Sequence, residues 1–354
     1  MRKISAPIIL ILSLSFLLTL ACGEKDKKEV QKNKTRTGTL EKNLAKPKKK
    51  VLFVNSYHAG YAWSDGIIKG VLDTFNIVMD RNGNLDNQDS DIELRIIYMD
   101  TKRNPDEAFI KAAAAKTKDI IDSWKPDAVI ASDDNASKYL ISPYYRNAKT
   151  PFIFCGVNWS ASEYGFPCSN VTGMIEVFLV PQLIDTMEQY ADDKRIGFID
   201  ADNTTSRKVA ANYKTRFGLN LTEYFVKTFS EWKTAYKSLQ DEVDMIIMSN
   251  YSGIAGWDEK AAKAFILEHT RVPTGGVIDL MAPYSMITYA MISAEQGEWS
   301  AKTTLDILNG KSPEDIPIVT NKKGKIFLNM PIAKKLGIKL PIELIERATF
   351  VEER

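Results

Sequence analysis

The sequence predicts an α/β protein made of two lobes, each a parallel sheet covered by helices. Three observations carry this. From residue 50 onward, short apolar runs alternate with longer stretches whose apolar residues recur at helical spacing. This is how parallel strands buried on both faces and their covering helices read. The alternation runs through four strands, then resumes for four more, with no internal sequence repeat. Finally, about 300 residues follow the N-terminal segments, enough for two domains of ordinary size.

The N-terminus has a different character. Met1-Arg2-Lys3 is basic, and Ile8 to Leu20 is an apolar run broken only by Ser13, Ser15 and Thr19. A small residue, Ala21, then precedes Cys22. Residues 1–21 therefore read as a secretory signal peptide, and the run is short of the ~20 residues that span a bilayer. The small residue followed by cysteine resembles the lipobox of bacterial lipoproteins, which implies lipidation of Cys22. Residues 24–50 hold eleven lysines and arginines and few apolar residues. Such a stretch cannot bury enough surface to fold, so 22–49 reads as a solvated tether.

Val51–Val54 is the first strand, and Ser64 to Val78 follows as a helix with Ile67, Ile68, Val71, Leu72 and Phe75 on one face. Ile92–Met99 is the second strand. Asn104-Pro105-Asp106-Glu107 then opens a helix, with Asn104 placed to cap and Pro105 in the first turn. Ala128–Ala131 and Phe152–Phe154 are strands three and four. Val171–Ile175 is expected to carry the chain from the first lobe to the second. There the strands are Arg195–Ile199, Leu221–Val226, Met245–Met248 and Gly275–Ile278. Helices Val180–Tyr190, Arg207–Phe217, Glu231–Leu239 and Asp258–His269 fall between them. The helix Ser300–Leu308 and the extended pieces Ile316–Val319 and Lys325–Leu328 return to the first lobe and pass again to the second. The lobes are then 50–171 with about 290–317, and 172–289 with about 318–346.

Composition excludes several classes of function. The net charge of +2 comes largely from the tether, and no basic stripe marks a nucleic-acid surface. After Cys22 only Cys155 and Cys168 remain, and free thiols are expected in preference to a bridge. With His58 and His269 as the only histidines, no ligand set for a metal is visible. No nucleophile–base spacing supports an enzyme, and no GxGxxG follows the first strand, where Asn55-Ser56-Tyr57 stands. No cofactor is expected.

In open α/β sheets, ligands bind beyond the carboxyl ends of the strands, so the residues there are the candidates. After the first strand come Ser56, Tyr57 and Trp63, within a loop of three aromatics and a histidine. Rings offer an amphipathic platform, and Ser56 with neighbouring amides suits an anion. Asp133 and Asn135 follow strand three, where a carboxylate suits an ammonium or sugar hydroxyls. Gly156 and Asn158 follow strand four, with Trp159 as a stacking partner. The second lobe offers Glu176, the hydroxyls of Thr204, Thr205 and Ser206 at a helix start suited to a carboxylate, then Asn250, Tyr251 and Asp279. Local packing and helix capping are the alternative employment for these residues.

Several strings, in order, carry a resemblance: Val51-Leu52-Phe53-Val54-Asn55-Ser56-Tyr57-His58, Tyr61-Ala62-Trp63-Ser64, Met99-Asp100-Thr101-Lys102-Arg103, Ala131-Ser132-Asp133-Asp134-Asn135, Phe154-Cys155-Gly156-Val157-Asn158 and Asn170-Val171-Thr172-Gly173. Together they resemble the ABC-transporter substrate-binding proteins of tryptophan/tyrosine type. The resemblance implies the type I periplasmic-binding-protein fold, two Rossmann-like lobes joined by three crossing segments. It also implies a monomeric, lipid-anchored extracytoplasmic protein that captures a small molecule and delivers it to an ABC permease. The same domain also serves as the extracellular sensor of membrane histidine kinases, so signalling to a receptor kinase is the alternative. Leu280–Met286 replaces a more glycine-rich stretch of the family, so ligand identity is not carried over. The aromatics, Asp133 and Thr204–Ser206 suit an amino acid or a similar amphipathic zwitterion, with sugars and nucleoside-like molecules also open.

Overall fold

The computed structural model describes residues 47–351. The leader, Cys22 and nearly all of the tether lie outside the described residues. Among the described residues no helix is long and apolar enough to cross a membrane.

The first lobe is built on β1 (Lys49–Asn55), β2 (Ile92–Tyr98), β3 (Ala128–Ser132), β4 (Phe152–Asn158) and β5 (Val171–Glu176). Helices α1 (Ala62–Phe75) and α2 (Glu107–Trp124) connect the early strands. The second lobe follows with β6 (Ile196–Ala201), β7 (Leu221–Val226), β8 (Met245–Met248), β9 (Thr274–Gly276) and β10 (Ile287–Met291). Its helices are α3 (Val180–Met187), α4 (Thr204–Phe217), α5 (Phe229–Glu242) and α6 (Glu259–His269). The chain then forms α7 (Ser293–Leu308), β11 (Val319–Thr320), β12 (Gly324–Leu328) and β13 (Ala348–Phe350).

The first sheet has the order β11-β5-β4-β3-β1-β2, with every pair parallel. The second has the order β13-β12-β10-β9-β8-β6-β7, parallel except where β10 meets β12. Central strands are buried on both faces: Val51–Val54 and Ala128–Ala131 are all 0% exposed. That explains why they read as continuous apolar runs rather than alternating ones.

Three local readings change. Val171–Glu176 is not a crossing but the fifth strand of the first sheet, paired with β4, and the chain leaves that sheet only after Glu176. Strand β10 was not expected; its sequence Ile-Thr-Tyr-Ala-Met is short and mixed, and its neighbours on the sheet make it a strand. Asp106, not Asn104, caps α2, accepting hydrogen bonds from the Ala108 and Phe109 amides. Asn104 instead donates to the Asp100 carbonyl at 3.1 Å.

The chain passes between the sheets after β5, after β10 and between β11 and β12. The passages are tied together. Asn321, in the third, accepts from the Val177 amide at 2.8 Å and donates to the Val177 carbonyl at 3.0 Å in the first. Glu295, at the start of α7, accepts from the Lys322 and Lys323 amides, the latter at 2.7 Å. Helix α7 lies against α1 in near-backbone contact: a Cβ on Gly70 would stand 2.1 Å from the Ala294 carbonyl, and one on Gly297 1.9 Å from the Ile67 carbonyl. Only glycine fits there, and this close crossing sets the start of α7 beside the carboxyl end of the first sheet.

Candidate functional site

A cleft of about 460 Å³ opens where the carboxyl ends of the two sheets meet. The first lobe contributes Tyr57, Tyr61, Ala62, Trp63, Lys102, Asp133, Asn158, Glu176 and Ser293. Phe178, Ile278, Asp279, Ala290 and Met291 form the opposing wall.

Asp133 is the centre of its chemistry. It follows β3 directly and is held at φ +68°, a left-handed backbone that Asp tolerates better than most residues. Only 2% of it is exposed, and its Oδ2 is buried without a hydrogen-bond partner. Burial raises its pKa to about 7; the Asp134 charge adds to this, while Ser132, Trp63 and Lys102 act the other way. Glu176, at the end of β5, is pushed well above the ordinary carboxylate range, first by burial and then by the charges of Asp133 and Asp134. Burial, helped by the same carboxyls, also holds the Tyr57 phenol far above its usual pKa. Two carboxyl groups thus share a poorly solvated space and resist joint ionisation.

Rings line the same space. Tyr57 and Tyr61 meet edge to face, centroids 5.3 Å apart. The Lys102 ammonium lies 4.8 Å from the Tyr57 centroid and 5.2 Å from that of Tyr61, within cation–π range. Trp63 Nε1 is buried and unpartnered. Asn158 donates to Asp134 Oδ2 at 2.7 Å, and Tyr164 donates to Asp134 Oδ1 at 2.8 Å. Asp134 is therefore occupied behind the cleft wall rather than in it.

Of the residues expected at strand ends, the structure brings together Tyr57, Trp63, Asp133, Asn158, Glu176 and Asp279. The others stand outside the lining. Ser56 is a strut, donating to the Ser132 carbonyl at 2.5 Å and accepting from the Ala136 amide at 2.9 Å. Asn135 donates to Thr101 Oγ1 at 2.8 Å. Gly156 lies behind Asp133, its amide donating to Gln296 Oε1 at 3.0 Å. Thr204 and Thr205 are exposed in the first turn of α4, which Asn203 caps by accepting from the Ser206 amide at 2.9 Å. Ser206 is buried beside Asp200, whose pKa burial raises to about 6. Asn250 accepts from the amide and hydroxyl of Ser252, both at 2.8 Å. Tyr251 stacks on Trp257 at 4.7 Å. Trp159 is not a cleft platform either, since it packs into the second lobe against Phe178, Tyr213 and Phe217.

Sequence reasoning missed Tyr61, Lys102, Phe178 and Ser293. Lys102 sits just past the end of β2, so the strand-end rule could have found it. Ser293 follows β10, and missing that strand hid its loop. Cys155 is buried and Cys168 half-buried, both free, and burial raises the Cys155 thiol, which does not suit a nucleophile.

Two α/β lobes facing each other across a cleft at their strand ends define a two-lobed solute-binding protein. The chain matches the model of the ABC transporter substrate binding protein family over residues 83–352, and it belongs to that family. The family's members are solute-binding proteins rather than enzymes; they work outside the cytoplasm with a small-molecule ligand and an ABC permease. The fold is similar to that of a ligand-free, open substrate binding protein with adhesive properties from Clostridium difficile, with TM-score 0.65 and 18% identity over 86% of this chain and 100% of that one. It is also similar to an ABC domain in complex with L-Trp from Streptococcus pneumonia, with TM-score 0.52 and 18% identity over 86% of this chain and 100% of that one. A periplasmic ribose ABC transporter protein from Conexibacter woesei matches with TM-score 0.50 and 13% identity over 82% and 96% of the two chains. No match was found among curated proteins.

Proposed function

We propose that this chain is a lipid-anchored extracytoplasmic receptor that closes on a small amphipathic molecule, such as an amino acid, and hands the closed form to an ABC permease. The observation that carries the reading is the cleft itself, where Asp133, Glu176 and the rings of Tyr57 and Trp63 on one lobe face Phe178 and Asp279 on the other. Charged hydrogen bonds orient a polar head, and the rings cover an apolar body. The ligand favours closure by binding the closed lobes more tightly than the open ones, the motion being a hinge about the three crossings. The N-terminal pattern ending at Cys22 supports a lipid anchor, with a solvated tether of residues 22–49 between lipid and lobes.

The test has two parts. A thermal-shift screen of amino acids, amines, sugars, nucleosides and short peptides should find a ligand that raises the melting point by mass action. Small-angle scattering should then show the particle contracting with it. Cys22→Ser should move the protein from the membrane to the soluble fraction, and retention in the membrane would rule out the lipid anchor.

A further inference from the structure

We propose that the cleft selects a protonated organic amine, a cation with at least one N–H to donate, through the carboxyl groups gathered around Asp133. This rests on the solute-binding reading above and specifies its ligand. Three carboxyl side chains line the cleft, Asp133, Glu176 and Asp279, against the single ammonium of Lys102. The hydroxyl-bearing helix start expected to take a carboxylate, Thr204 to Ser206, is not part of the lining, and Asn203 accepts from its Ser206 amide. A ligand's positive end therefore has three carboxyl partners here, and the approach of a cation favours their ionised forms.

The structure already shows how the site treats a cation. The Lys102 ammonium rests over the Tyr57 and Tyr61 rings, and its charge favours the ionised forms of both Asp133 and Glu176. It is an internal counter-ion, and a single one among three carboxyls. Asp133 Oδ2 is buried and makes no hydrogen bond of normal geometry, although the Ser132 and Trp63 side chains stand close to the carboxyl. Leaving a buried acceptor unpaired is costly, and an ammonium N–H from the cleft satisfies it. A quaternary ammonium, having no N–H, cannot.

The full-length chain would be titrated by calorimetry with two matched series, one on a phenylethyl tail and one on a pentyl tail. Each contains the primary amine, its trimethylammonium form, the neutral alcohol, the carboxylate and the α-amino acid. In at least one series the amine should bind about 10- to 100-fold more tightly than the alcohol, the carboxylate and the trimethylammonium form, the range expected for a charged hydrogen bond. Asp133→Asn, which the left-handed backbone tolerates, should remove that preference while keeping the wild-type circular-dichroism spectrum; Glu176→Gln should weaken amine binding in a second background.

Failure of both amines to bind, or tenfold tighter binding of the alcohol or carboxylate, would overturn the amine assignment. The underlying reading is scored separately. Contraction on scattering with any solute from the wider screen preserves the receptor function while the amine assignment falls.

Discussion

A methyl group on Gly156 would stand 3.0 Å from Asp133 Oδ1. Gly156 lies within β4 and Asp133 directly follows the adjacent β3, and both hold left-handed backbone, at φ +66° and +68°. Gly156 is thus the floor under the Asp133 carboxylate. Gly156→Ala adds left-handed strain of about 1–2 kcal/mol and pushes the carboxylate toward the cleft. We expect a loss of roughly 1–3 kcal/mol in denaturant unfolding together with weaker ligand binding. Unchanged stability and affinity would show that neither the backbone nor the contact constrains Asp133.

Asp133 also sets a pH dependence. The charged and titratable groups around it are Asp134, Glu176, Lys102, Tyr57 and Cys155. Its folded pKa, about 7, lies above the ordinary value of 3.8. Between those values the native state holds a proton that the unfolded chain has released, so this group makes stability fall as pH rises. The full loss, reached above pH 7, is on the order of 4 kcal/mol. Asp133→Asn should therefore stabilise the ligand-free protein at pH 8 and change it little at pH 4. Denaturant midpoints at the two pH values check this; equal effects at both would contradict it.

The rings can be tested apart from the charge. Tyr57 and Trp63 line the cleft and are half-buried rather than central to the core. Replacing both with alanine should weaken ligand binding by at least about tenfold, the scale of losing a ring that covers the ligand. The melting transition should remain cooperative. Calorimetry giving unchanged affinity would remove the rings from the site.

How far the sequence revealed all this varies by residue. Most strands of both lobes were legible because parallel strands buried on two faces read as continuous apolar runs, as in Val51–Val54 and Met245–Met248. Tyr57 and Asp133 were found by a topological rule, since each follows a strand, whereas Glu176 was proposed as the residue after a crossing and in fact ends β5 of the first lobe. The same rule proposed Ser56, Asn135, Thr204 and Asn250, which the structure assigns to struts, caps and turns. A polar side chain at a strand end serves either purpose, and only its actual hydrogen-bond partner separates the two. Strand β10 escaped because its five residues mix Thr and Tyr with apolar neighbours, and with it went Met291 and Ser293. The contact between α1 and α7 also left little trace, because a glycine in a helix does not announce which carbonyl it lies against.

The hinge offers the remaining prediction. Asn321 is 3% exposed, and its one side chain satisfies both the amide and the carbonyl of Val177. It therefore joins the first and third crossings as a backbone partner would. Truncation leaves two buried polar groups unpaired at about 1–3 kcal/mol each, so Asn321→Ala should destabilise the chain by roughly 2–4 kcal/mol. Amide exchange should rise first at residues 175–179 and 319–323, before the central strands respond. Asn321→Asp keeps the acceptor for the Val177 amide but loses the donor, so it should be disturbed at the Val177 carbonyl yet retain protection of that amide. If Asn321→Ala exchanges uniformly across both lobes, the residue supports general stability and the crossings are not a locally stapled hinge.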